Sequence, residues 1–491
     1  MSRPRNTHEE SEVLVVPEKL TNAVVTPAES VEERSTADGN PPRGNAVQPQ
    51  SWEAVQTRLE RIGERAIQDK EAKFDNLLSL LTAPLLRHAY EGLRRGAAAG
   101  VDNVTWEQFG EQLDVRLDDL IGRIHRGSYH PQPVRRVFIP KADGRMRPLG
   151  IPALEDKVVQ QAVKMVLERI YEPAFLGFSY GFRPGRNQHG ALDALAVAIG
   201  RGVEWVLDAD IKAFFDTIDH AWMQRFIEHR IGDRRMVRLL LKWLHAGVME
   251  EGKLLEVERG TPQGGIISPL LANIYLHYAL DLWVHHWRRN TAVSDVYVVR
   301  YADDFVMGFR LEQDARAMRE ALTERLASFG LGLHPEKTRV IAFGKKAWME
   351  HERDRSIRLA TFDFLGFTHV MTKTRGGRFT MRRRTSRKKR TGKLQSLREE
   401  FRQRRHQPVV TQHKWISSVL RGHYGYYGVP GNSASMKVFR WRVECAWFRS
   451  LERRSQRARM TEADKTRFRT HWPLPPAKIT HPWPDDRFTR R

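Results

Sequence analysis

The segment DVYVVRYADDFVMGF, residues 295–309, sets the strictest limit on how this chain folds. Two β-rich arms flank a four-residue polar centre, a pattern that predicts a hairpin with an acidic tip. A second apolar run, VEWVLDADIKAFF (203–215), reaches Asp210 and predicts a neighbouring strand of the same sheet. Asp210, Asp303 and Asp304 then meet at one sheet edge. Hard oxygen donors of this kind suit magnesium, and two such ions can activate a hydroxyl, stabilise an in-line transition state and receive a leaving pyrophosphate. Paired aspartates are also common in solvated turns, so YADD alone does not decide between the two readings.

The rest of the composition narrows the choice. At 491 residues the chain exceeds the roughly 250–300 at which one core stops growing, so more than one packed lobe is expected. It carries 82 Lys or Arg against 59 Asp or Glu, a net charge of +23, which points to a polyanionic partner, nucleic acid first. With 41% hydrophobic residues it has enough apolar surface to exclude general disorder. Cys445 is the only cysteine, which excludes an internal disulfide and a cysteine-cluster zinc site and fits a reducing cytoplasm. The N-terminus lacks a signal-peptide pattern, and the most apolar stretch, 266–280, is broken by Pro269, Asn273 and His277. Neither secretion nor membrane insertion is expected.

Along the chain, residues 1–50 hold eight acids, five bases and six prolines and read as a disordered tail. A helical pattern from Trp52 to Gly96 ends in GAAAGVD, which reads as a flexible joint. VRRVFIPKADGRMRPLGIP (134–152) predicts a basic hairpin turning at Asp143-Gly144. Val158, Val159, Ala162, Val163, Val166, Leu167 and Ile170 then recur at helical spacing, with Gln160, Lys164 and Glu168 on the opposite side. GTPQGGIISPLLANIYLHYAL (260–280) is a glycine-rich loop running into a helix. Residues 371–410 contain fifteen Lys or Arg and two Glu, so the phosphate-facing surface concentrates there, around Arg382, Arg383, Arg384, Arg387, Lys388, Lys389 and Arg390. An aromatic-rich helical region follows from Lys414 to Arg459, and the proline-rich last twenty residues read as an irregular tail.

A polymerase also needs cations on the triphosphate, and Lys141 and Arg147, flanking the hairpin turn, are candidates to clamp phosphate oxygens. Singly, each is more often a solvated surface cation. At this point the chain resembles the reverse transcriptase/maturases encoded by bacterial group II introns. The resemblance covers roughly residues 60–460 and is carried, in order, by IPKADGRMRPLGIP, FSYGFRPGRNQHGALDAL, DADIKAFFDTIDH, GTPQGGIISPLLANIYLHYALD, RYADDF, GLGLHPEKT and FDFLGF.

That resemblance implies that Asp210, Asp303 and Asp304 bind the metal ions, with the main-chain carbonyl of Ile211 available to the second. It implies that Phe215 is a steric gate against a ribose 2′-hydroxyl; the alternative is a core aromatic. Gln263, with Gly264 and Gly265, falls in the loop that contacts the incoming nucleotide and template, and Lys337 matches a lysine that protonates or stabilises pyrophosphate. Arg183 in GFRPG contacts nucleic acid or braces its own loop. LRGHYGYYG (420–428) marks the family's thumb, also called the maturase domain, where Arg421 and Tyr424 could contact phosphates and stack on bases. Aromatics at helical spacing are usually core, and Trp441 and Trp447 are read that way. The chain departs from relatives that carry an endonuclease domain with paired cysteines, so second-strand cleavage is not expected of it.

The expected architecture is a mixed α/β right-hand polymerase. Its parts are a tail (1–50), N-terminal extension and fingers (51–200), palm (201–370), basic linker (371–395), helical thumb (396–460) and a basic, proline-rich C-terminal tail (461–491). The expected function is RNA-directed DNA synthesis with two Mg2+ ions and deoxynucleoside triphosphates on an RNA template with a DNA primer. Binding of group II intron RNA to assist splicing, and target-primed reverse transcription at a DNA target, are expected alongside it. The expected setting is the bacterial cytoplasm, at the nucleoid when acting on DNA. Two other readings stay open: a reverse transcriptase of another element, such as a defence-associated system, and a splicing cofactor with a dispensable polymerase site.

Overall fold

The computed structural model describes residues 51–140, 146–250, 253–255, 260, 264–374, 376–455 and 459–489. The chain is mixed α/β, and the helix Leu154–Tyr171 runs through the middle of its larger core. Val158, Val159, Ala162, Val163, Val166, Leu167 and Ile170 are all fully buried, as their spacing demands. Its expected polar side is not all in water. Gln160 is buried and accepts a hydrogen bond from the Ile266 amide, while Lys164 and Glu168 pair on the surface. On the N-terminal side the helix Trp52–Gln68, capped by the Ser51 hydroxyl, and the helix Ala83–Glu91 pack against it.

Strands β1 (Val134–Pro140) and β2 (Met146–Ile151) pair antiparallel as a basic hairpin requires, with Ile139 opposite Arg147, while the expected turn at Asp143-Gly144 lies outside the described residues. The GAAAGVD run before it is no free joint. The carbonyls of Ala98 and Ala99 accept from Lys157 and Arg135, and a Cβ on Gly100 would stand 2.4 Å from Ala153.

β3 (Trp205–Asp210) belongs to a central antiparallel sheet. β4 (Val248–Glu250) and β5 (Lys253–Leu255) extend the β1–β2 hairpin, and β6 (Val296–Tyr301), β7 (Asp304–Phe309) and β8 (Arg339–Ala342) complete the central sheet in the order β6-β7-β3-β8. This sheet is covered on both faces, which explains why its strands read as continuous apolar runs. Leu207, Ala209, Val298, Phe305, Met307 and Phe309 face the large core, whereas Val206, Tyr297, Val299 and Val306 alternate onto a second core under the helix Gln188–Gly200.

β9 (Phe362–Phe364), β10 (Phe367–Lys373) and β11 (Phe379–Thr385) make a third sheet, and the helix Arg387–Gln403 starts directly after it. The described part of 371–395, expected as a linker, is therefore built into paired strands and a helix. The helices Arg387–Gln403, Val409–Tyr427 and Ser433–Glu452 enclose their own core of Leu397, Phe401, Leu420, Phe439, Val443 and Trp447. The C-terminal segment is also less irregular than its composition suggests. A helix, Glu462–His471, opens with a capping box, and the following stretch is tied back by Thr480 N–H to Gly428 O (2.8 Å) and by Tyr424 Oη to Pro475 O (3.2 Å). Residues 1–50 lie outside the described residues.

Candidate active site

A cleft of about 990 Å3 opens where the central sheet ends. Strand register supplies its floor. Tyr301 and Asp304 form the last pair between β6 and β7, and Asp210 and Asp304 the last between β3 and β7, with Asp303 in the connecting turn. Two carboxylates thus stand directly opposite each other, an arrangement that destabilises a sheet through like-charge repulsion unless a cation comes between them.

Past Asp210 the chain leaves the sheet at Ile211, which bridges Leu333. The flanking bonds run from Lys212 N–H to Gly332 O and from His334 N–H to Asp210 O, both 2.8 Å. In that antiparallel pattern the bridging residue's own carbonyl points away from its partner, so the Ile211 carbonyl stays out of this ladder while Ile211 lines the cleft. Ala213 then takes φ +48° and the following pair divides its roles. Both line the cleft, but Phe214 is buried, whereas Phe215, edge to face with it at 5.4 Å, is half-buried.

Two glycines fix the ends of the next loop. Gly260, at φ +90°, lies so close to the Phe215 carbonyl that a Cβ would stand 2.7 Å from it, and a Cβ on Gly264, at φ +123°, would stand 2.4 Å from Gly150 O on β2. Gln263 between them lies outside the described residues, as does Lys141. Arg147 is exposed on β2 and lines the cleft. Lys337 forms an ion pair with Asp210.

The electrostatics are those of a cation site. Burial pushes the Asp304 carboxyl well above the usual carboxylate range, and the charges of Asp208, Asp210 and Asp303 add to it, against one Leu365 N–H bond that favours the charged form. Burial also raises Asp303, with Asp210 adding to the rise and Arg147 and Lys337 opposing it. Among the described residues no group of three or more His, Cys, Asp or Glu side chains is already gathered as a metal cage. The donor set nevertheless fits a hard divalent ion. Asp210, Asp303 and Asp304 offer carboxylate oxygens, and Asp303 and Asp304, both half-buried, form no ion pair among the described residues.

Backbone strain concentrates here. Six non-glycine residues take positive φ among the described residues, and four of them, Phe182, Ala213, Ala302 and Leu365, line this one cleft. Each costs of order 1–3 kcal/mol and persists because its surroundings hold it. At Ala302 the holder is Arg300. This fully buried guanidinium pairs with both Asp281 oxygens (2.7 and 2.6 Å) and donates to Ala302 O (2.9 Å), Asn273 Oδ1 (3.2 Å) and Ser179 Oγ (2.6 Å). Gly181 presses on the same turn, since a Cβ there would stand 2.4 Å from the Ala302 nitrogen.

Several expected nucleic-acid contacts are corrected by burial. Arg183 is only 5% exposed and donates to Glu172 and to the carbonyls of Leu176 and Ser179, so it braces its loop. Arg383 is buried in an ion pair with Asp193 (2.5 Å), and Tyr424 is buried in the helical core. Lys389 lines the cleft and does not belong to a separate outer surface, whereas Arg384, Arg387, Lys388 and Arg421 are exposed, and Arg382 and Arg390 partly so. Trp447 is core as expected, but Trp441 is 58% exposed. Sequence reasoning missed Asp208, Arg300, Phe182, Tyr426 and Tyr427. Asp208 had a signal, because it lies two residues before Asp210 on the same strand face. Its carboxyl is raised to about 6 by burial, with Arg339 opposing.

Comparison with known proteins gives the family. Residues 139–369 match the reverse transcriptase (RNA-dependent DNA polymerase) family. The chain is 36% identical to protein YkfC of Escherichia coli K12, over 57% of this chain and 83% of that one. It is 42% identical to the group II intron-encoded protein LtrA of Lactococcus lactis subsp. cremoris, over 46% of this chain and 38% of that protein. To the nuclear intron maturase 4, mitochondrial, of Arabidopsis thaliana it is 27% identical, over 51% of this chain and 30% of that one. The chain belongs to the reverse transcriptase family. Within it, the chain is a member of the group II intron-encoded reverse transcriptase/maturases, although it spans only 38% of the Lactococcus protein's length. No helix among the described residues is long and apolar enough to cross a membrane.

Proposed function

We propose that this protein is an RNA-directed DNA polymerase that extends a DNA primer on an RNA template and binds group II intron RNA to assist splicing and mobility. The convergence of Asp210, Asp303, Asp304, Arg147, Phe215 and Lys337 on one cleft carries the reading. In right-hand terms, the β1–β2 hairpin with the helices before it is the fingers, the central sheet the palm, and the helices from Arg387 to Glu452 the thumb.

Asp210, Asp303 and Asp304, with the Ile211 carbonyl, would hold two Mg2+ ions. When bound, such ions lower the pKa of the primer 3′-hydroxyl and neutralise charge on the α-phosphate and pyrophosphate. Arg147, and Lys141 by its place in the hairpin, hold triphosphate oxygens and keep the nucleotide in line. Gln263, by the resemblance of its loop, would contact the incoming nucleotide. Lys337, one salt bridge from Asp210, carries a proton to the departing pyrophosphate, so its ammonium exchanges a carboxylate partner for a phosphate. Phe215, on the cleft wall with Asp210, would serve as the gate against a ribose 2′-hydroxyl. The reading is tested by extension of a DNA primer on an RNA template with purified protein across a Mg2+ series. Extension that is abolished by chelator supports it, and no extension with Mg2+ or Mn2+ overturns it.

Phe215→Ala opens the cleft wall beside Asp210 and leaves Phe214 in place. Ribonucleotide incorporation is expected to rise relative to deoxynucleotide by about 10- to 100-fold, the order of a lost steric exclusion worth 1–3 kcal/mol. Single-nucleotide incorporation kinetics with both sugars check it, and an unchanged ratio would return Phe215 to the core.

For intron RNA the surface that burial leaves is Arg382, Arg384, Arg387, Lys388, Arg390 and Arg421, with exposed Trp441 as a stacking candidate. Changing Arg384, Arg387 and Lys388 together to Gln is expected to flatten the slope of log affinity against log salt by about 2–3 units, at roughly 0.7–0.9 for each phosphate that is no longer neutralised. RNA binding across a salt series measures this directly, and an unaltered slope would remove these residues from the RNA surface.

A further inference from the structure

We infer that His220, the first residue of the helix His220–Arg230, is a positioning residue that fixes the start of the loop 260–265 beside the catalytic cleft. The inference rests on the reading of that loop as the one that meets the incoming nucleotide. Its basis is a direct hydrogen bond, with His220 Nε2 2.6 Å from Gly260 O. Burial pushes the His220 imidazole below the usual histidine range, with His245 adding to the fall and the Gly260 carbonyl and Asp219 opposing it, so the ring is neutral. A carbonyl only accepts, so Nε2 carries the proton, and Nδ1 is left to accept from His245 Nε2 at 3.2 Å.

Gly260 is gripped from one short stretch of chain. Its N–H donates to Ile218 O (2.8 Å), its carbonyl accepts from His220, and a Cβ on it would stand 2.7 Å from Phe215 O. Residues 215–220 therefore carry both the cleft-wall Phe215 and the grip on the loop. Asp219 fixes where His220 stands, because its carboxylate accepts from Trp222 N–H (3.0 Å) and caps the helix. The ring itself has little room to turn. It is 9% exposed and packs edge to face on His245 at 4.7 Å. A different element holds the far end of the loop, where Ile266 N–H donates to Gln160 Oε1 (2.9 Å) on the helix Leu154–Tyr171. A loop tied at both ends has fewer conformations to give up when a ligand binds, and releasing one end raises that cost without altering the groups that meet the ligand. Loss of the His220 bond should therefore appear in nucleotide affinity and not in primer-template affinity.

His220→Gln and His220→Asn separate reach from chemistry. Both side chains end in the same amide, but the Gln nitrogen stands at about the reach of the imidazole Nε2, whereas the Asn nitrogen falls one methylene short of Gly260 O. Ile227→Val, which trims a fully buried side chain of the same helix, controls for helix stability. With the full chain, amide exchange at Gly260 is read beside KM for deoxynucleotide, KM for primer-template and the thermal midpoint. His220→Asn is expected to speed exchange at Gly260 and raise KM for deoxynucleotide, each by about fivefold, the scale of one net hydrogen bond, while KM for primer-template holds. His220→Gln recovers most of both, and Ile227→Val lowers the midpoint with exchange at Gly260 and both KM values unchanged. Wild-type exchange and KM in His220→Asn would overturn the inference, as would equal losses in His220→Gln or Ile227→Val, which would reduce His220 to a packing residue. Faster exchange in His220→Asn with an unchanged KM for deoxynucleotide would overturn the positioning role if Gln263→Ala raises that KM. If Gln263→Ala leaves it unchanged as well, the reading of the loop as a nucleotide contact fails instead.

Discussion

Replacing Asp303 by alanine is expected to lower RNA-templated primer extension by about three orders of magnitude or more, because a metal ligand contributes several kcal/mol to the transition state and each 1.36 kcal/mol is tenfold in rate. RNA affinity should stay within about twofold, since it comes from cations spread over a distant surface. Stability offers an independent sign. Asp303 is half-buried beside Asp210 and Asp304 with no ion pair of its own among the described residues, so its removal relieves repulsion. The thermal midpoint should therefore hold or rise while activity disappears, the signature of a group retained for chemistry at a cost to the fold. A variant that extends primers at near wild-type rate, or that loses activity together with several degrees of stability, would refute the assignment.

Arg300→Ala should have the largest effect on the fold. It leaves Asp281 buried and unpaired and strips a donor from Ala302 O, so a loss of about 3–5 kcal/mol is expected, read as a lower denaturant midpoint. Arg300→Lys keeps the charge but not the fork, and should recover only part of this. The double change Arg300→Leu with Asp281→Leu should be milder than Arg300→Ala in stability, because no uncompensated charge remains. It should stay inactive, because the strained Ala302 turn has lost the brace that aims Asp303. A wild-type midpoint for Arg300→Ala would show that the pair contributes nothing to the fold, and normal extension by the double variant would show that the turn holds itself.

The three aspartates were legible in the sequence because their signal is local. Two-residue periodicity and an acidic centre place Asp303 and Asp304 at a hairpin tip whatever else the chain does, and the alternation of VLDAD puts Asp208 and Asp210 on one strand face. The buried helix Leu154–Tyr171 was legible for the same reason. Arg300 stood in plain view one residue before YAD, yet its role was not, since Asp281 comes from a separate helical segment and Ser179 from a loop 121 residues away.

Burial was the property that local pattern could not supply. Arg183, Arg383 and Tyr424 carry the residue types of a nucleic-acid surface, but Glu172, Asp193 and the Pro475 carbonyl draw them inward. Trp441 and Trp447 sit on one helix six residues apart, a rotation of about 240° that must put them on different sides, and only packing against Gln412 and its neighbours settled that Trp447 is the core member. Lys389 follows the same logic in reverse: the basic run predicts a cation, and the start of its helix directly after β11, which brings Lys389 beside Gly366, turns that cation into the cleft. Strand and helix period, set by backbone geometry, determined which residues share a face. Which face meets protein, water or the catalytic cleft was decided by partners far away in sequence, because desolvation and ion pairing depend on what the fold brings within a few ångströms.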